Sequence, residues 1–235
     1  ARFDIPRRAA AVARLFLLGS LFAMTAILLL TQSRGAFLAL CVAVVLMVAV
    51  QWPRSQRSIL VASVALGLAL WQGGIGPLAD VLSNTGTISS WIARQEVWSR
   101  AIYMIHDFPF TGIGLGTFDQ VQPLLYPFFL LHGVRVHHAH NLFLQLAVDL
   151  GLPGLIAYMA IQLGVAYATW QAWQHLRRAG SGWMQALALG LLGSQAALVA
   201  HGLLDAAVWG NRVSLLPWLV FGLALALERI ASEAP

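Results

Sequence analysis

Long apolar runs dominate the chain, and polar residues cluster between them. A bilayer core is crossed by about 20 apolar residues in helical conformation. On that rule the pattern predicts membrane spans near residues 12–31, 36–52, 58–73, 153–174, 183–204 and 213–229. Residues 74–151 break the rhythm and hold most of the polar chemistry. A connection that long has structure of its own and is where function concentrates. Within it, Trp91, Trp98, Ile102 and Ile105 recur at helical spacing and predict a helix on the membrane surface. Pro109, Gly112, Gly114 and Gly116 then mark a tight turn region. A second helix is expected from 139 to 150, ended by Gly151, with Pro153 placed to begin the next one. The expected fold is all-α and polytopic: one membrane domain over 1–235, about six spans, and a large loop over 74–151 containing amphipathic helices.

Composition narrows the class. Of 235 residues, 59% are hydrophobic and 10% charged, against about 25% charged in soluble domains. A soluble enzyme and a disordered chain are both excluded. Cys41 is the one cysteine and lies in an apolar run, which leaves neither a disulfide framework nor a cysteine-based metal site. The basic residues are 14 Arg against 9 acidic residues, net +5. They are scattered among apolar runs, a pattern of membrane topology rather than of a nucleic-acid surface. Nine fall on one side of the expected spans: Arg2, Arg7, Arg8, Arg14, Arg54, Arg57, Arg177, Arg178 and Arg229. Five fall on the other: Arg34, Arg94, Arg100, Arg135 and Arg212. The positive-inside rule makes the nine-Arg side cytoplasmic, so both termini are inside and 74–151 faces outward. The sequence starts at Ala1 and is read as the C-terminal part of a longer protein. Arg7, Arg8 and Arg14 before an apolar stretch look like a signal peptide, but no clear cleavage site follows, so a membrane anchor is expected.

The outer side carries the candidate chemistry. Arg34, in T-Q-S-R-G-A-F, sits at a membrane boundary, where Gly35 allows a helix break. It is either a snorkelling interfacial Arg or a cation facing an anionic group. Arg94 and Trp98 are one turn apart and share a helix face, whereas Arg100 points elsewhere. Arg135 lies in a loop that is already polar. His137, His138 and His140 form H-H-A-H-N and leave three readings open: a metal site, a structural polar cluster, or a catalytic base. His140, at the helix entry beside Asn141, is the best placed of the three for a base. Asp107, Asp119 and Asp149 show no recognisable metal spacing. Asp205 and Arg212, between the last two spans, either pair with each other or line the same site, and His201 reads as structural. The glycines of T-G-I-G-L-G lack the strand-before, helix-after context of a dinucleotide site.

Three blocks in order carry a resemblance. They are T-Q-S-R-G at 31–35, R-Q-E-V-W-S-R-A-I-Y-M-I-H-D-F-P-F-T-G-I-G-L-G-T-F at 94–118, and H-A-H-N-L-F-L-Q-L-A-V-D-L-G-L-P-G-L-I-A-Y at 138–158. In this order the chain resembles the O-antigen ligase/polymerase superfamily over roughly residues 30–160. The resemblance implies a GT-C-like, polytopic glycosyltransferase of the inner membrane with a large periplasmic loop, using undecaprenyl-diphosphate-linked glycan as donor. It implies that Arg34, Arg94 and His140 are the essential residues. Arg135, His137, Asn141 and Arg212 join Arg34 and Arg94 as expected substrate-binding residues. Family members generally have more spans, and the missing ones would precede this segment.

The chemistry fits that inventory. Charge grows on a diphosphate as the sugar C1–O bond breaks, and either a metal or Arg must stabilise it. The planar guanidinium binds two oxygens at once. The acceptor hydroxyl loses a proton as it attacks, and His is the usual base near neutral pH. The expected reaction is a metal-independent, cofactor-free, inverting transfer at the periplasmic face. Lipid A–core is the favoured acceptor, with a glycan repeat or a protein hydroxyl as alternatives. A transporter of an anionic lipid is the reading from another class, but the spans hold almost none of the mid-membrane ionisable groups it needs.

Overall fold

A computed structural model of the chain describes residues 7–31, 33–51, 90–131, 133–206, 208–210 and 214–233. Seven α-helices and no strand occur among these residues. They are α1 (Arg7–Thr31), α2 (Arg34–Gln51), α3 (Ser90–Asp107), α4 (Phe118–Leu125), α5 (Leu142–Arg178), α6 (Gly182–Gly202) and α7 (Leu215–Ser232). Four helices are long and apolar enough to cross a membrane: Val12–Thr31 of α1, α5, α6 and α7. Gly35–Gln51 of α2 is a shorter apolar helix. The chain is an all-α, multi-pass membrane protein. The expected span at 58–73 lies outside the described residues.

The membrane core follows from which apolar faces meet. Helix α2 packs along α6, α6 against α5 and α7, and α7 against α5. Trp173 and Leu176 of α5, Leu191 and Leu192 of α6, and Phe221 and Leu227 of α7 form its buried centre. A Cβ on Gly193 would lie 2.6 Å from Met47 Sδ, so the Met47 side chain of α2 lies in the space that this glycine leaves on α6. An apolar phase favours polar groups that pair locally, and some in the spans do, although Gln162 Oε1, Trp173 Nε1 and Gln195 Oε1 are buried without a partner among the described residues. Thr169 donates to Val165 O at 2.6 Å and accepts from Gln195 Nε2 at 2.9 Å, tying α5 to α6. Along α1, exposed in this single chain, the Thr25 and Thr31 hydroxyls turn back onto the carbonyls of Leu21 and Leu28.

A second core lies outside the spans. Val97, Ala101 and Met104 of α3 pack with Phe118, Phe128, Val136, Ala139 and Val148. The surface helix of the sequence pattern is α3, but its packed stripe falls at 97, 101 and 104, while Ile102 stays exposed. The helix expected from 139 starts at Leu142 instead, because Asn141 caps it, its side chain accepting from the Phe143 and Leu144 amides. At Gly151 (φ 72°, ψ 178°) the helix kinks, separating the first turns of α5 from its long apolar part. The glycine turn explains that kink. Ile113 N–H donates to Val148 O at 2.8 Å, and Leu152 N–H donates to Pro109 O at 2.7 Å. A Cβ on Gly112 would sit 2.5 Å from the Asp149 backbone, and one on Gly151 would sit 2.6 Å from that of Phe110. Both also have positive φ, so each glycine is required twice over.

Candidate active site

Three segments converge where α2 begins and α6 ends. Ser33 opens α2, its hydroxyl accepting from Ala36 N–H at 3.3 Å, so Arg34 is the first helical residue. The break expected at Gly35 therefore falls just before Arg34. Gly35 instead faces the neighbouring helix: its Cβ position lies 3.6 Å from both His201 Cδ2 and Leu204 Cβ. Past α6, the Asp205 amide donates back to His201 O at 3.0 Å, and Ala206 N–H donates to the Asp205 carboxylate at 2.7 Å. This turn leaves Asp205 half-buried beside the start of α2.

The histidine segment enters from the other direction. His140 has φ 48° and is the one non-glycine residue with positive φ among those described. Asn141 is then extended, and the helix starts. A side chain held in the left-handed region at the mouth of a helix marks a constrained position. The constraint has visible sources. Asn141 Nδ2 donates to Leu203 O at 3.0 Å, linking the histidine segment to the end of α6. Ala139 N–H donates to Gln145 Oε1 at 2.6 Å, and Gln145 Nε2 donates to Asp149 Oδ1 at 2.8 Å. Trp209 Nε1 donates to the other Asp149 oxygen at 3.0 Å. A buried amide and a buried carboxylate thus fix the two loops that carry His140 and Asp205.

The result is a compact titratable cluster. His140 Nδ1 lies 3.6 Å from Asp205 Oδ1, and His138 Nδ1 lies 3.8 Å from the same oxygen. Their rings meet edge-on with centroids 4.4 Å apart. The His140 amide donates to His138 Nδ1 at 3.2 Å, which makes that nitrogen an acceptor and puts the neutral ring's proton on Nε2. Burial pushes the His138 pKa down, the His140 ring pushes the same way, and Asp205 offsets part of this. Burial alone would raise the Asp205 pKa. The His140 ring, the Ala206 amide and the charges of both imidazoles reverse this and hold the carboxyl below its usual range. At 3.6 Å the His140–Asp205 contact is just longer than a hydrogen bond, and His140 Nδ1 is a buried nitrogen without another acceptor. Catalytic hydrogen bonds are often long in a free enzyme and shorten with substrate.

The family comparison covers most of these residues. The family model described as O-antigen ligase matches residues 19–159. The chain belongs to the O-antigen ligase family. No curated protein matches it. A member of this family is a membrane protein of glycan transfer, a glycosyltransferase-like enzyme acting on lipid-linked glycan and an acceptor. In this O-antigen ligase family chain the match includes Arg34, Arg94 and His140 and stops short of Asp205.

The expected site residues separate on the structure. Arg34 is the first residue of α2, and it is its neighbour Gly35 that faces His201 and Leu204, the residue before Asp205. Half-buried Arg94 precedes Val97 and Ala101 on the face of α3 that packs against Ala139, and it makes no ion pair with a described residue. Arg135 is exposed, and His137 turns away to Asp119, 3.3 Å distant. Asn141 spends its amide on the cap and on Leu203. Arg212 lies outside the described residues, and Asp205 faces the imidazoles. Arg100, the remaining Arg of the five expected on the outer side, lies 3.8 Å from Glu96 and over the Phe129 ring. Gln145 and Trp209 were not among the expected site residues, and Asp205 was expected either to pair with Arg212 or to line the site. A polar Gln145–Asp149 pair, one turn apart in L-F-L-Q-L-A-V-D-L, was the signal available for two of the network's members.

Proposed function

We propose that the chain transfers a glycan from undecaprenyl diphosphate to a sugar hydroxyl, lipid A–core being the acceptor, at the periplasmic face of the inner membrane. His140 removes the acceptor proton. Asp205 faces its Nδ1–H, so Nε2 is left as the base and the imidazolium that forms is stabilised. Arg34 and Arg94 hold the diphosphate, whose charge grows as the C1–O bond breaks. The acceptor oxygen attacks C1 from the side opposite the departing diphosphate, which inverts the anomeric centre. The 74–151 loop, carrying Arg94 and His140, is the catalytic loop of this reading. The single observation that carries it is the convergence of His140, Asp205 and the head of α2.

A second reading has an observation of its own. Ligand atoms of His138, His140 and Asp205 lie within 4.8 Å of one another, close enough for a divalent cation. Against this, His138 Nδ1 already accepts the His140 amide and Asp205 Oδ1 already accepts the Ala206 amide. Transfer by the purified protein, with lipid-diphosphate glycan and candidate acceptors in turn, separates the two. Acid–base transfer persists in excess EDTA. Loss of transfer on chelation and its return with a divalent metal would establish the metal reading instead.

A further inference from the structure

The end of α4 and the loop that follows it present apolar side chains outward from a rigid frame. Leu124 is 80% exposed, Phe129 69%, and Leu125 and Leu130 are exposed beside them. No charged residue occurs from 120 to 134. A slack loop would fold these side chains onto the neighbouring core, but this one is fixed. Glu96, on α3 and 8% exposed, accepts from three consecutive amides, those of Phe129, Leu130 and Leu131. Gln122 Nε2 donates to Tyr126 O at 2.9 Å, and Val134 N–H donates to Leu131 O at 3.1 Å. Phe128 is buried in the outer core and Leu131 packs against it. Inward Phe128 and Leu131 therefore bracket Phe129 and Leu130, which are turned away from the protein.

We propose that this loop, residues 123–131, inserts Leu124, Leu125, Phe129 and Leu130 into the lipid leaflet on its side of the membrane. Two observations name the bilayer as occupant. The first is backbone chemistry. Unpaired amides are excluded from an apolar phase, and the buried Glu96 carboxylate satisfies the three amides at the tip. Water would satisfy them without it. The second is continuity with the lipid-facing surface of a span. The Tyr126 hydroxyl donates to Asp107 Oδ2 at 2.6 Å, which seats the loop beside the Phe108–Phe110 turn. That turn is bonded to the first residue of the membrane-spanning part of α5, through Leu152 N–H and Pro109 O. Phe110 is 76% exposed there, next to the exposed Leu152 and Ile156 of the span. Tyr126, with one polar end, and Arg100, whose guanidinium lies 4.7 Å from the Phe129 ring centroid, suit the headgroup level above such a wedge. Nothing in this assignment depends on glycan transfer.

Spin labels test it directly. Leu124→Cys, Phe129→Cys and His106→Cys are made singly in the full chain carrying Cys41→Ala, labelled, and placed in phosphatidylethanolamine/phosphatidylglycerol vesicles. Power saturation then compares collisions with oxygen, which concentrates in lipid, and with a water-soluble nickel chelate. Labels at 124 and 129 are expected to favour oxygen, and the label at the exposed His106 to favour nickel. Nickel-dominated collisions at 124 and 129 would overturn the proposal. So would shielding from both reagents together with short distances between labels on different chains, which would make a second copy the occupant.

Discussion

The two ends of the α2–α6 pair contrast sharply. At the Gln51 end the helices meet through Val44, Met47, Val48, Ala186 and Leu189 around a small groove, and their polar contact is Gln185 Nε2 donating to Gln51 Oε1 at 3.1 Å. That end lines the groove without an ionisable side chain. At the Gly35 end α2 faces His201 and Leu204, the next residue is Asp205, and His138 and His140 lie against its carboxylate. Among the described residues, one helix pair thus has an end that packs and an end that gathers charge. The difference lies in what reaches each end. A polar connection follows α6 at the Gly35 end, and the histidine segment is bonded to it through Asn141 and Leu203.

The contrast predicts unequal consequences for substitutions, beginning with the largest. His140→Asn keeps a residue that tolerates positive φ while removing the base. Turnover should fall by roughly 10²–10⁴, with donor binding retained because the Arg residues are untouched. Single-turnover transfer and a separate donor-binding titration read the two quantities. Arg94→Ala should cost roughly 10²–10³ in rate, and Arg94→Lys should recover little of it, since an ammonium lacks the two-pronged contact. Normal transfer by a well-expressed Arg94→Ala chain would remove that residue from the mechanism.

At the quiet end, Gln185→Leu should leave turnover unchanged and lower stability by about 0.5–1.5 kcal/mol, the net worth of one hydrogen bond. Thermal unfolding in detergent measures this, and a large loss of rate there would erase the contrast between the ends. The smallest effect belongs to His138. Its folded pKa lies below the ordinary 6.5, so the fold favours the neutral ring. The associated stability is present above that ordinary value and declines as pH falls below it. His138→Asn keeps an acceptor for the His140 amide and removes the titration, so the variant should lose less stability than the parent between neutral and mildly acidic pH.

Much of this contrast was legible in the sequence, and unevenly. Spans show as runs of apolar residues because a bilayer imposes one length and one polarity on every helix that crosses it. The bounds at 182–202 and 215–232 lie within three residues of those expected from 183–204 and 213–229. His140 stood out because three imidazoles beside a helix-capping Asn are uncommon in an apolar chain. Asp205 was visible as a residue but not as a partner. Its nearest charged neighbour in sequence is Arg212, whereas its partner in space is His140, 65 positions earlier. Pairings of that kind depend on how α5 and α6 pack, which periodicity does not encode. Glu96 shows the same limit. A glutamate on an amphipathic helix reads as a solvated charge, and its burial depends on three amides from a loop more than 30 residues away.

The central claim is that His140 and Asp205 act as one unit in proton transfer. A double-mutant cycle on in vitro transfer tests it most directly, using the parent, His140→Asn, Asp205→Asn and the double variant. If Asp205 acts through His140, each single change lowers turnover, and Asp205→Asn costs nothing further once His140 is Asn. If the two losses simply multiply in the double variant, the residues act independently and the account is contradicted.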